Sequence, residues 1–146
     1  MILSAFTEKY STIQKKLISS VIIESAEPGK AVKPVIASAQ WDTGATGTCI
    51  SKEVVKYLKL APIGMVSVNT PSGAGVMNKY KINLILNNEV KISDLSVMDS
   101  EIGNQGIDVL IGMDIISLGD FAVSNFEKKT QFSFRVPSQQ HIEFSK

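Results

Sequence analysis

Cysteine, histidine and tryptophan each occur once in this chain of 146 residues. A lone Cys49 excludes an intrachain disulfide and fits a reducing compartment. His141 has one cysteine and no second histidine to join it, so a zinc site is not expected. Ser-His and Cys-His catalysis are poorly supported for the same reason, and no metal or cofactor is expected. Net charge is also scarce: 15 Lys and Arg against 14 Asp and Glu leave +1. That balance argues against nucleic acid or an anionic membrane as a partner. The basic pairs Lys15-Lys16 and Lys128-Lys129 read as solvated turn or strand-edge lysines. No apolar run approaches the roughly 18 residues of a spanning helix, and the N-terminus lacks a basic-then-apolar leader. The expectation is a cytoplasmic protein, or a soluble piece cut from something larger.

What is present suits one globular domain over residues 1–146, with 44% hydrophobic and 20% charged residues. Beta signals dominate. "KLISSVIIES" (16–25) and "AVKPVIASAQW" (31–41) flank the turn "AEPGK" and read as a hairpin delivering Asp42. Val54, Val55 and Leu58 recur at helical spacing behind Ser51, a good N-cap. Residues 65–86 form a second hairpin signal. Tyr80, Ile82, Leu84 and Leu86 alternate with Lys79, Lys81, Asn83 and Ile85, and Pro71, Gly73 and Gly75 crowd the tip. "VKISDLSVM" (90–98) continues the pattern. "IDVLIG" (107–112) reads as a short strand buried on both faces. "MDIISLG" reads as a turn or two of helix ending at Gly119, and "DFAVSN" and "TQFSFRVP" as strands around "FEKK". Residues 1–12 and the tail after Pro137 are polar and carry no strand assignment. The pattern is mostly β, a sandwich or barrel.

One stretch carries chemistry: "AQWDTGATGTCIS" (39–51). An acid ending an apolar strand and followed by Thr-Gly is held on a tight loop. Gly44 lets another backbone approach, and Thr43 can hydrogen-bond across to a neighbouring loop. Two such loops face to face would bring two carboxylates to about 3 Å, where they share one proton. One then serves as base on a water while the other polarises the peptide carbonyl. The bland alternative for Asp42 is a turn or capping acid.

The context decides between them. "WDTGAT", then "TPSGAG", then "DVLIGMDII" occur in the order found in the retropepsin-like aspartic proteases, which the chain resembles over residues 30–136. "IGMDII" is most similar to the retrotransposon and cellular branches. The resemblance implies a mostly-β, single-lobe acid-protease fold: a closed β-barrel with one or two short helices, forming a homodimer. It implies Asp42, Thr43 and Gly44 as the catalytic triplet. Ala45 and Thr46 would line the floor of a peptide-binding cleft. Thr70, Pro71, Ser72, Gly73, Ala74 and Gly75 would form its flap. Leu110, Ile111 and Gly112 would thread behind the Asp42 loop. No second Asp-(Thr/Ser)-Gly occurs, so the second carboxylate must come from a second copy of the chain. The implied function is an aspartic endopeptidase acting on extended polypeptides. The alternatives are a catalytically inactive retropepsin-like module that dimerises or binds peptide, and a β-rich interaction domain without family relation.

Other residues have plainer readings. Asp114 reads as an acid at a helix N-terminus, and Asp108 as a loop tie. Cys49 reads as a buried small hydrophobe rather than a redox switch, and Trp41 as packing rather than a substrate subsite. Residues 72–75 could be an ordinary turn but for their place after the Asp42 loop. Related retroviral enzymes dimerise through short terminal strands. The segments here are longer and unlike those, which leaves "FSFRVP" (132–137) as the expected interface strand.

Overall fold

The computed structural model describes residues 3–71, 73–87 and 90–145. Ser72, expected at the flap tip, lies outside the described residues, as does the side chain of Thr70. The strands are β1 Ser4–Lys9, β2 Ile18–Ser25, β3 Val35–Trp41, β4 Cys49–Ser51, β5 Gly64–Thr70, β6 Gly73–Ile85, β7 Lys91–Ser100, β8 Val109–Ile111, β9 Asp120–Ser124 and β10 Gln131–Val136. Two short helices, α1 Lys52–Tyr57 and α2 Met113–Ile116, interrupt them. The fold is mostly β, as the periodicity predicts.

Alternation sets the strands. In β2, Ser19, Val21 and Ile23 are buried while Ser20 and Ile22 face out. In β6, Tyr80, Ile82 and Leu84 are buried, and the residues between them are half-exposed. Ser51 caps α1 by accepting the Val54 amide, and Val54 and Leu58 turn inward. Among the described residues, seven strands run in the order β2-β3-β8-β4-β7-β6-β5, and β6 pairs a second time, with β2. The parallel pairing of β3 with β8 sets Trp41 opposite Ile111. Buried residues from both sheets form one core cluster.

A second, three-stranded sheet has the order β1-β10-β9. It corrects two expectations. Residues 1–12 contain a strand, β1, whose register runs from Ser4 opposite Val136 to Lys9 opposite Gln131. Its alternation is weak, because only Phe6 is buried. The strand exists because β10 offers it an edge, a long-range cause invisible locally. The same pairing removes "FSFRVP" as an interface strand: β10 is bonded on both edges, to β1 and β9, and Phe132 and Phe134 are buried. No edge of β10 is free for a second chain.

Three smaller differences follow from packing. Leu110 in β8 is only half-buried, so that strand is not enclosed on both faces. Cys49 is half-buried rather than buried. Helix α2 stops at Ile116 with Ser117 as its C-cap, so Gly119 is not its terminator. A Cβ at Gly119 would fall 1.8 Å from the Arg135 carbonyl oxygen, so glycine there lets β10 pass. Beyond Pro137 the tail is tied to the start of β9. Asp120 accepts hydrogen bonds from the Gln139 amide at 2.7 Å, from Ser138 Oγ and from Arg135 Nε. Those donors, the Gln139 amide foremost, hold the Asp120 carboxyl well below the usual range. No helix among the described residues is long and apolar enough to cross a membrane.

Candidate active site

Asp42 is the first residue past β3, and three forces fix the chain there. Immediately before it, Trp41 is driven into the core. Its ring stacks on Phe121 at 5.5 Å and 12° and lies 5.0 Å from Phe134, with Phe6 and Phe132 close by. Its indole N–H donates to Ser19 Oγ at 2.9 Å. Trp41 is therefore packing, and it joins the three-stranded sheet to the strand carrying the acid. Next, the Asp42 amide donates to Ile111 O at 2.9 Å, continuing the β3–β8 ladder by one bond. Last, the loop turns on its own acid: Gly44 N–H donates to Asp42 Oδ1 at 2.8 Å and Ala45 N–H to Asp42 O at 3.2 Å. This Asx-type turn leaves the carboxylate partly exposed.

Of the residues expected behind the loop, Ile111 and Gly112 lie against it. Met113 N–H donates to Ala45 O at 2.7 Å. A Cβ on Gly112 would sit 2.7 Å from Gly47 O and 2.9 Å from Ala45 O, so only glycine lets the two backbones approach. Leu110 pairs with Gln40 and Cys49 and touches the loop only through its neighbours in β8. Thr43 and Thr46 are exposed and Ala45 is half-buried.

The hairpin tip is placed separately. Its register puts Thr70 opposite Gly73, Asn69 opposite Ala74 and Val68 opposite Gly75. Pro71, Gly73 and Ala74 are exposed, and Gly73 takes φ +121°, a conformation that favours glycine. β5 is the last strand of the sheet, apart from β3 and β8 in the strand order. A cavity of about 360 Å³ lies elsewhere, against the three-stranded sheet, lined by Phe6, Phe134 and Ile142 among others.

Two residues near the loop carry more than the sequence suggests. Asp114 does sit in the first turn of α2, but its carboxylate reaches back to Thr48. Thr48 N–H donates to Oδ2 at 3.0 Å and Thr48 Oγ1 to Oδ1 at 2.8 Å. A hydroxyl inside "ATGTCIS" and an acid after "LIGM" were the available signals, but nothing local pairs them. Asp108 ties a loop as expected, accepting from Ser51 Oγ at 3.0 Å. Burial pushes the Cys49 thiol up, and the carboxylates of Asp114 and Asp99 push it further, so it stays protonated and is no nucleophile. Among the described residues no group of three or more His, Cys, Asp or Glu side chains could hold a metal ion.

Comparison with known proteins places this arrangement. Residues 33–117 match the family described as "gag-polyprotein putative aspartyl protease". The fold is similar to the crystal structure of a retropepsin-like aspartic protease from Rickettsia conorii. That likeness has a TM-score of 0.54 at 11% identity, over 93% of this chain and 97% of the other. It is also similar to EIAV protease complexed with the inhibitor HBY-793, with a TM-score of 0.51 at 15% identity, over 71% and 88%. The solution structure of simian foamy virus (mac) protease aligns at a TM-score of 0.49 and 19% identity, over 68% and 92%. No curated protein sequence matches this one significantly.

Proposed function

The chain belongs to the gag-polyprotein aspartyl protease family, and on that premise we propose that it is a homodimeric aspartic endopeptidase. The observation that carries the reading is the Asp42 loop, a half-exposed carboxylate on a backbone bonded to β8 and α2 from behind. Each subunit supplies one Asp42. The two carboxylates share a proton across the twofold axis; one activates water while the other polarises the scissile carbonyl. Exposed Thr43 supports a contact between the two loops. The second β6 pairing, with β2, supports reading the larger sheet as a closed barrel. The single core cluster supports one domain over residues 1–146.

Substrate lies extended between the Asp42 floor, with Ala45 and Thr46, and the flap at residues 70–75. Main-chain bonds to the hairpin supply affinity. Exposed Met65 and Val76 on that hairpin support a preference for apolar side chains. Because β10 is bonded on both edges, the dimer forms through surfaces other than that strand.

The test is cleavage of a mixed peptide library together with a dilution series. Specific activity falls below the dimer dissociation constant, and excess Asp42→Asn poisons wild type by forming mixed dimers. Constant specific activity in a protein that sediments as a monomer sinks the dyad. A dimer that cleaves nothing identifies a noncatalytic module instead.

A further inference from the structure

Strand β8 is three residues long, and a carboxylate at each end ties it to a hydroxyl beyond the Asp42 loop. The two ties do different things. Before the strand, Asp108 accepts from Ser51 Oγ at 3.0 Å, and its carbonyl accepts the Ser51 amide at 2.8 Å. Ser51 Oγ also accepts the Val54 amide, so this tie serves the start of α1. After the strand, Asp114 takes both the amide and the hydroxyl of Thr48. The same hydroxyl accepts Gly112 N–H at 3.2 Å. Thr48 is 1% exposed, so its single proton is committed to Asp114 and its lone pair to Gly112, with water excluded.

We propose that Thr48 and Asp114 are positioning residues for Asp42. The inference rests on the reading of Asp42 as the catalytic carboxylate. The loop from Asp42 to Thr48 contains Gly44 and Gly47 and has no strand partner of its own, so its backbone is intrinsically free. Its near end is held by Trp41 and by the Asp42 amide on Ile111 O. Its far end is held by Thr48 on Asp114. Between them, the Met113 amide on Ala45 O forms only if Gly112 stands where the Thr48 hydroxyl puts it. Releasing Thr48 lets Ala45 and Gly44 drift, and Gly44 N–H is the donor that orients Asp42 Oδ1. A capping role in α2 accounts for the Ile115 amide on Asp114 Oδ1, but not for two bonds to a residue far away in sequence.

The experiment compares the two ties in the full chain. Thr48→Val keeps the volume of the side chain and removes the hydroxyl; Thr48→Ser keeps the hydroxyl; Ser51→Ala breaks the other tie. Thr48→Val lowers kcat about 10- to 100-fold, the cost of a misplaced reacting group, with KM within about twofold. Hydrogen exchange at the Ala45 and Met113 amides quickens, and the Gly44 amide resonance moves. Thr48→Ser restores all three. Ser51→Ala loses thermal stability with kcat unchanged. Asp114→Asn, which keeps one acceptor oxygen, gives an intermediate loss and serves if Thr48→Val does not fold. Equal kcat losses in Thr48→Val and Ser51→Ala, or unchanged kcat and exchange in Thr48→Val, overturn the proposal. If wild type cleaves no peptide, the catalytic reading fails on its own, while exchange at Ala45 and Met113 still decides whether the pair sets the loop.

Discussion

The Asp42 loop and the β5–β6 hairpin tip are built from the same kinds of small residue and are held in opposite ways. Around Asp42, backbone groups at 42, 45, 48, 112 and 113 bond across the loop, and Trp41 is wedged among aromatic rings before it. At the tip, Pro71, Gly73 and Ala74 are exposed, and the described pairing is with the opposite arm of the same hairpin. Glycine has a different task in each place. Gly112 supplies room for Gly47 and Ala45, whereas Gly73 supplies a positive φ in open space. One segment is over-determined; the other has freedom to move. A peptidase needs both, because the reacting carboxylate must be fixed while the cover over the substrate must open. The stretch from Ala61 to Asn78 has no charged residue, which suits a hairpin that closes over an uncharged peptide backbone.

The largest expected effect lies in the fixed region. Asp42→Asn lowers kcat by on the order of 10⁴-fold or more, as loss of a group acting in a catalytic unit does, and leaves the thermal transition nearly in place. Steady-state kinetics beside calorimetry check it, and full activity in the variant would remove Asp42 from the chemistry. Gly112→Ala comes next. Its Cβ meets the Gly47 carbonyl oxygen at 2.7 Å, so a backbone must shift. The expected cost is about 1–3 kcal/mol of stability, as for overpacking, with a loss of turnover alongside. Denaturant titration and kcat measured on one preparation test whether the two fall together.

At the tip they should separate. A Cβ at Gly75 meets only Val68 Cγ2, at 3.9 Å, so Gly75→Val changes stability by less than about 0.5 kcal/mol. It still stiffens the arm and lowers turnover. Gly73→Val is a less clean probe, because φ +121° strains any side chain at a cost of about 1–3 kcal/mol. If Gly75→Val loses stability in step with activity, the contrast between the two regions fails.

The smallest effect is remote from both. The Asp120 carboxyl is depressed in the folded chain by the Gln139 amide, Ser138 and Arg135. A depressed acid contributes stability above its unfolded value of 3.8 and loses that contribution as pH falls through the lower folded value. The tail beyond Pro137 should therefore loosen only in strong acid, with faster amide exchange at Gln139. Asp120→Asn should loosen it already at neutral pH and flatten that dependence, while activity at the Asp42 site is unchanged.

Local periodicity was enough for β2, β3, β6, β9 and β10, because alternating burial is written into neighbouring residues. Ser51 as a helix cap and Asp42 at a strand end were readable for the same reason. What required the tertiary structure is whatever depends on a distant partner. β1 has one buried residue and exists because β10 stands beside it. β10 reads as a strand in isolation, yet only its two neighbours show that no edge is left for another chain. Thr48 and Asp114 are two ordinary polar residues in the sequence, and only the parallel docking of β3 on β8 brings hydroxyl and carboxylate to 2.8 Å. A residue's own type and spacing determine its periodicity and its turn, because those are short-range steric and hydrophobic preferences. Which hydrogen bond it finally makes is decided by which other strand the whole core places within 3 Å or so of it.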